Sequence, residues 1–207
     1  MLTIVDYGLG NLNAFENVYN RLKIKFKIAS NKEDLLNASK LILPGVGSFD
    51  YAIDLLSTSG IIKTLNELVL VKNIPVLGVC VGMQIMAEES DEGAEKGLAW
   101  IQAKVKSLNS QIISNNKNFD LPIPHMGWNK IELNYKNILF KDIKDLEYYF
   151  LHSYFLLPSK REITISSTKY IINFTSAFQQ DNIYGVQFHP EKSHSSGKEL
   201  LKNFASI

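Results

Sequence analysis

The sequence predicts an α/β fold: an open, mostly parallel sheet with helices on both faces and antiparallel strands added in its second half. Three observations carry this. In the first half, short β-branched apolar runs alternate with helical patterns, at the spacing that parallel strands and crossover helices need. Most of the early runs end in glycine-containing turns. The second half replaces the helical patterns by successive strand patterns. A chain of 207 residues can bury a sizeable core, and no linker divides it. One domain over 1–207 is expected.

Residues 2–6 read as the first strand and Gly8-Leu9-Gly10-Asn11 as the turn after it. Ala14, Val18 and Leu22 repeat at i, i+4 and i+8, which predicts a helix over 13–22. A short strand at 26–29 and a capped short helix at 31–38 follow. Residues 40–43 form a strand that ends in Pro44-Gly45-Val46-Gly47. Helices are predicted over 50–56 and 61–71, then a strand over 76–79. The second half gives strands at 104–108, 129–133, 148–151, 163–167, 176–180 and 183–188, and a last helix over 197–204. The Asn-rich stretch 109–120 reads as an exposed loop.

Composition narrows the function. The net charge is +1 with no like-charge block, which argues against an electrostatic nucleic-acid surface. A single cysteine excludes an intrachain disulfide and a multi-cysteine zinc site, and a free thiol fits a reducing compartment. The N-terminus has no basic segment ahead of an apolar run, and no stretch approaches the ~18 apolar residues of a membrane span. The expectation is a soluble, cytoplasmic protein without membrane contact.

The lone cysteine lies in Gly78-Val79-Cys80-Val81-Gly82, between a strand pattern and a helical one. This G-x-C-x-G pentapeptide has the form of a nucleophile elbow with sulfur in place of oxygen. The glycines let strand and helix approach closely, the helix N-terminus favours thiolate, and the Val81 N–H faces a developing oxyanion. A buried structural cysteine is the competing reading. A thiol nucleophile needs a base. His189, in Phe188-His189-Pro190-Glu191, sits at a strand end, and Glu191 is close enough to hold its tautomer. Gly45-Val46-Gly47 is a candidate source of a second oxyanion donor, since glycine lets a peptide N–H swing. His189 and His194 are five apart, which suits no zinc pair. Neither glycine loop continues as a phosphate-binding motif. No metal and no cofactor are expected.

Gly78-Val79-Cys80-Val81-Gly82-Met83-Gln84 together with Phe188-His189-Pro190-Glu191-Lys192-Ser193 resembles the class I (triad) glutamine amidotransferases. Asp6-Tyr7-Gly8-Leu9-Gly10-Asn11-Leu12, Leu43-Pro44-Gly45-Val46-Gly47-Ser48-Phe49, Pro124-His125-Met126-Gly127-Trp128-Asn129 and Tyr149-Phe150-Leu151-His152-Ser153-Tyr154 narrow the match. They are similar to the glutaminase subunits of imidazole glycerol phosphate synthases. The resemblance covers nearly the whole chain and implies a flavodoxin-like sheet. It implies Cys80 as nucleophile on L-glutamine, His189 as base and acid, and Glu191 as the orienting carboxylate. Val81 and a flipped peptide in Gly45-Val46-Gly47 would stabilise the oxyanion. Gln84, Glu92, Ser153 and Tyr154 would hold glutamine, and Trp128, Tyr149 and Lys192 would meet a partner. That partner is a (β/α)8-barrel synthase subunit, which takes ammonia for histidine biosynthesis.

Lys192-Ser193-His194-Ser195-Ser196-Gly197, Leu200-Leu201-Lys202-Asn203-Phe204 and Leu98-Ala99-Trp100-Ile101 depart from that pattern and are similar to paralogues that supply ammonia for amidation of a surface-polysaccharide sugar, which is the alternative acceptor. The stretch 170–174 also lacks the acidic, glycine-containing turn expected of the histidine-pathway members. A stand-alone thiol hydrolase is the alternative of another class. A catalytically dead binding protein would need no complete Cys, His and Glu set.

Overall fold

A computed structural model describes residues 1–114 and 121–207. The first half runs β1 (Leu2–Val5), α1 (Leu12–Leu22), β2 (Phe26–Ala29), α2 (Lys32–Leu35), β3 (Lys40–Leu43), α3 (Phe49–Thr58), α4 (Ile62–Asn66), β4 (Val76–Val79) and α5 (Val81–Gln84). The second half runs β5 (Glu89–Ser90), β6 (Ala103–Ser107), α6 (Leu108–Ser114), β7 (His125–Lys130), β8 (Glu132–Leu133), β9 (Glu147–His152), β10 (Tyr154–Pro158), β11 (Thr164–Lys169), β12 (Asn173–Gln180), β13 (Ile183–Val186) and α7 (His194–Ser206).

The main sheet has the order β2-β1-β3-β4-β13-β12-β10-β6-β5, with β11 on β12 and β8 on β11. Strands β2, β1, β3, β4 and β13 are parallel. Strands β12, β10 and β6 extend them antiparallel. This is the expected sheet. Strands β1, β4 and β13 are buried at every residue, the pattern of strands covered on both faces. The chain leaves β1 toward one edge and reverses after β2. Right-handed crossovers then put α1 on one face and α2, α3 and α4 on the other. Consistent with this, α1 packs on α7, and α2 packs on α4. Ile4, Ile42, Leu77, Val186 and Phe188 are fully buried at the centre. Among the described residues, no helix is long and apolar enough to cross a membrane.

The second half departs from expectation in four places. The strand expected at 129–133 is two. β7 begins at His125, and β8 pairs with β11 instead. Pro124 and Gly127 read as breakers and hid the start of β7. The 148–151 segment does not join the main sheet, because β9 pairs with β7 in a separate two-stranded sheet. Strand β10 was not expected, since Tyr-Phe-Leu-Leu-Pro shows no alternation and ends in proline. Within the expected 109–120 loop, α6 starts at Leu108, and the Ser107 side chain accepts from the Asn109 and Ser110 N–H groups. The rest of that loop lies outside the described residues.

Candidate active site

Cys80 stands between β4 and α5 with φ 55 and ψ −114, a conformation that costs energy for any residue with a side chain. Tight backbone packing holds it there. A Cβ on Gly82 would lie 1.9 Å from the Leu43 carbonyl oxygen, and one on Gly78 would lie 2.6 Å from that of Gly82. The Cys80 N–H donates to Val186, and its carbonyl accepts from Met83 and Gln84. The elbow is therefore present, but its helix is a single turn. So short a helix carries little dipole, and Val81, its first residue, lines the cleft beside Cys80.

The register of β4 and β13 brings the partners in. Gly78 pairs with Gly185 and Val79 with Val186, so the segment after β13 emerges beside Cys80. His189 is buried there, and its Nδ1 lies 2.8 Å from Glu191 Oε1. A single 3-10 turn at Pro190–Lys192 makes this short reach possible, and the Ser193 hydroxyl ties it down by donating to the His189 carbonyl at 2.6 Å. Burial alone would lower the basicity of His189. The hydrogen bonds to Cys80 and Glu191, with their negative charge, outweigh it and push the imidazole up to about 10. These neighbours favour an imidazolium beside the sulfur.

A cleft of about 240 Å³ opens over Cys80 and His189, sized for a small metabolite rather than a drug-like ligand of ~300 Å³ or more. Val46, Gly47, Val81, Gln84, Glu92, Ser153 and Tyr154 line it. Gly45 lies behind, where a Cβ would lie 2.3 Å from the Gly82 nitrogen, and Glu191 reaches the site through His189. Gln84 is buried and donates from Nε2 to the Tyr154 carbonyl and to Gln187 Oε1, each at 3.0 Å. Glu92 accepts the Phe49 N–H at 2.8 Å. Burial, with the Asp50 charge adding to it, holds the Glu92 carboxyl above its ordinary range. Gly47 has φ +103, a conformation that glycine adopts at little cost, and open space around its Cβ position.

Sequence reasoning missed four groups. Gln187 donates from Nε2 to Cys80 Sγ at 3.7 Å; it is two residues before His189, and strand alternation could have found it. The Tyr7 hydroxyl anchors the 44–47 loop by donating to the Pro44 carbonyl at 2.7 Å. Asp50 accepts the Ala94 and Glu95 N–H groups and so fixes the loop carrying Glu92. His125 Nδ1 and His152 Nε2 lie 3.0 Å apart, both rings buried. Burial is the first cause that lowers them, to about 4 for His125 and about 3 for His152. No sequence pattern pairs these two rings, which meet across β7 and β9.

Trp128, Tyr149 and Lys192 come together beside the cleft. Trp128 is 44% exposed, stands edge-on to Tyr149 and stacks on His194 at 4.9 Å. Lys192 Nζ lies 5.8 Å from the Tyr149 ring centroid. With exposed Met126, they form an aromatic and basic patch.

A family model described as glutamine amidotransferase class-I matches residues 3–207. A protein of Leptospira interrogans named imidazole glycerol phosphate synthase subunit HisH is 48% identical over 208 residues, covering all of both chains. One of the same name from Bdellovibrio bacteriovorus is 45% identical, again over both whole chains. A crystal structure described as glutamine amidotransferase superposes with a TM-score of 0.74 at 18% identity, over 99% of each chain.

Proposed function

The chain belongs to the class-I glutamine amidotransferases, and on that premise we propose that it is the glutaminase subunit of an imidazole glycerol phosphate synthase. It releases ammonia from glutamine for a partner subunit. The observation that carries the chemistry is the strained, glycine-packed Cys80 sharing one cleft with buried His189, whose ring is hydrogen-bonded to Glu191. Full-length identity of 45–48% to proteins of that name supports the acceptor reading over sugar amidation.

The residues divide the work as follows. Cys80 Sγ attacks the side-chain carbonyl carbon of glutamine. Negative charge moves onto the amide oxygen, where the Val81 N–H and an N–H of the rotatable Gly45-Val46-Gly47 loop receive it. The imidazolium of His189 gives its proton to the departing nitrogen, and ammonia leaves. His189, now neutral, takes a proton from water, which attacks the thioester and frees glutamate. Glu191 holds the imidazole and stabilises its charged form. Gln84, Ser153 and Tyr154 meet the polar ends of the substrate, and Glu92 faces its ammonium.

The partner in this reading is a (β/α)8-barrel synthase seated on the Trp128, Tyr149 and Lys192 patch. Exposed aromatic side chains beside a basic one are the composition of an interface anchor. Closure over the cleft keeps ammonia neutral and nucleophilic. The test is Cys80→Ala in the assembled complex. Glutamine-dependent synthesis of imidazole glycerol phosphate is lost, and synthesis from added ammonium persists. Loss of both in a folded complex overturns the proposal.

A further inference from the structure

Beyond Cys80, His189 and Glu191, the geometry points to Gln187 as a further catalytic residue. Its side-chain amide donates to the Cys80 sulfur and holds it as the nucleophile. Gln187 is fully buried, and its Nε2 lies 3.7 Å from Sγ. An amide could turn either end toward the sulfur, and only the nitrogen end stabilises a thiolate. Three neighbours decide which end it is.

The Tyr154 carbonyl can only accept. It takes one bond from Gln84 Nε2 at 3.0 Å and one from His152 Nδ1 at 2.8 Å. That turns the Gln84 NH₂ inward, and its second N–H meets Gln187 Oε1 at 3.0 Å. With its oxygen so committed, Gln187 presents its NH₂ to the sulfur. Reversing Gln187 would set NH₂ against NH₂ at Gln84 and would add a second oxygen at the sulfur, beside the Leu151 carbonyl that Sγ already meets at 3.8 Å. Both contacts are repulsive, and the site is buried.

The polarity is fixed further back as well. Since His152 Nδ1 donates, its Nε2 must accept, and it does so from His125 Nδ1. His125 Nε2 then accepts from Asn129 Nδ2 at 3.2 Å. Asn129 follows Trp128 on β7, so donation runs from the exposed strand through both rings to the Tyr154 carbonyl, where it meets donation from Gln84, and from Gln84 it runs through Gln187 to the sulfur. His152, His125 and Asn129 touch no reacting atom and are positioning residues.

This inference rests on Cys80 being the nucleophile, not on glutamine being the substrate. It is read by the rate at which iodoacetamide alkylates Cys80, the only thiol, in the full chain. Glutamine turnover by the wild type tests the substrate separately. Gln187→Met keeps the volume and removes the donor. Alkylation should slow about ten-fold at pH 7, the order of a hydrogen bond to a charged group. The gap should close as the pH approaches 10, which loss of structure alone would not produce. Equal rates at pH 7, or a slowing that persists at pH 10, overturn the assignment. Should that variant not fold, Gln84→Met releases Gln187 to turn. Slower alkylation at pH 7 supports the assignment, and an unchanged rate overturns it.

Discussion

Replacing His125 by phenylalanine should make the fold less sensitive to acid while making it less stable at high pH. The ring stacks on Tyr170 at 3.9 Å and on Phe150 at 4.7 Å, contacts a phenyl ring can keep. What it cannot keep is the bond to His152 and the one from Asn129. At pH 8 that loss costs about 1–3 kcal/mol, because a buried group is left without its partner. The pH term has the opposite sign. His125 is held near 4 in the fold, against ~6.5 unfolded, so it is kept neutral. Its contribution is complete above the unfolded value and drains away as the pH falls from ~6.5 toward 4. By pH 5 it has withdrawn about 2 kcal/mol. Phenylalanine withdraws nothing. His189 runs the other way: its raised value stabilises the fold below ~6.5, and that is lost as the pH rises through about 10. Because His189 is present in both proteins, it cancels in the difference. Urea unfolding at pH 8 and pH 5 should therefore find the gap between wild type and variant smaller by about 2 kcal/mol at pH 5. A gap that stays constant or widens refutes the neutral histidine pair.

Glu191→Gln should fold normally and lower kcat by a factor of about 10² to 10⁴, as loss of the orienting carboxylate does in other triads. Steady-state glutaminase assays in the complex check it, and an unchanged kcat refutes the role of Glu191. Asp50→Ala frees the Ala94 and Glu95 N–H groups and loosens the loop that carries Glu92. The KM for glutamine should rise about ten-fold with little change in kcat, since a ground-state contact is affected. A fall in kcat at constant KM would refute it.

The parallel half of the sheet was legible because its strands are mostly apolar and separated by helices with clear periodicity. β4 and β13 are cases where local pattern and global packing agree. Cys80, His189 and Glu191 were legible for a different reason: short motifs constrain them, and two of the three are neighbours in sequence. The antiparallel half was harder. β7 is interrupted by a glycine, β10 lacks alternation, and which strand each one pairs with is decided at long range. Gln187, Asp50 and the His125–His152 pair act through contacts between residues 27 to 107 positions apart. Only Gln187, two residues before His189, carries a local signal; nothing local marks the others.

The order of strands explains why one cleft collects so much chemistry. β3, β4 and β13 are parallel neighbours, so the segments after all three leave the sheet at the same edge. The first supplies the Pro44–Gly47 loop, the second the elbow, and the third Gln187 and His189. Antiparallel β9 reaches this edge by another route: its end delivers the Leu151 carbonyl to within 3.8 Å of Sγ. The turn after it brings Ser153 and Tyr154 into the cleft. The other side of β9 is the patch of Trp128, Tyr149 and Lys192. In the proposed complex, a partner seated on that patch would bear on the strand whose Leu151 carbonyl lies beside the nucleophile. Any coupling in that proposed complex has a short route, since β7 and β9 form a two-stranded sheet of their own that reaches from the patch to the cleft.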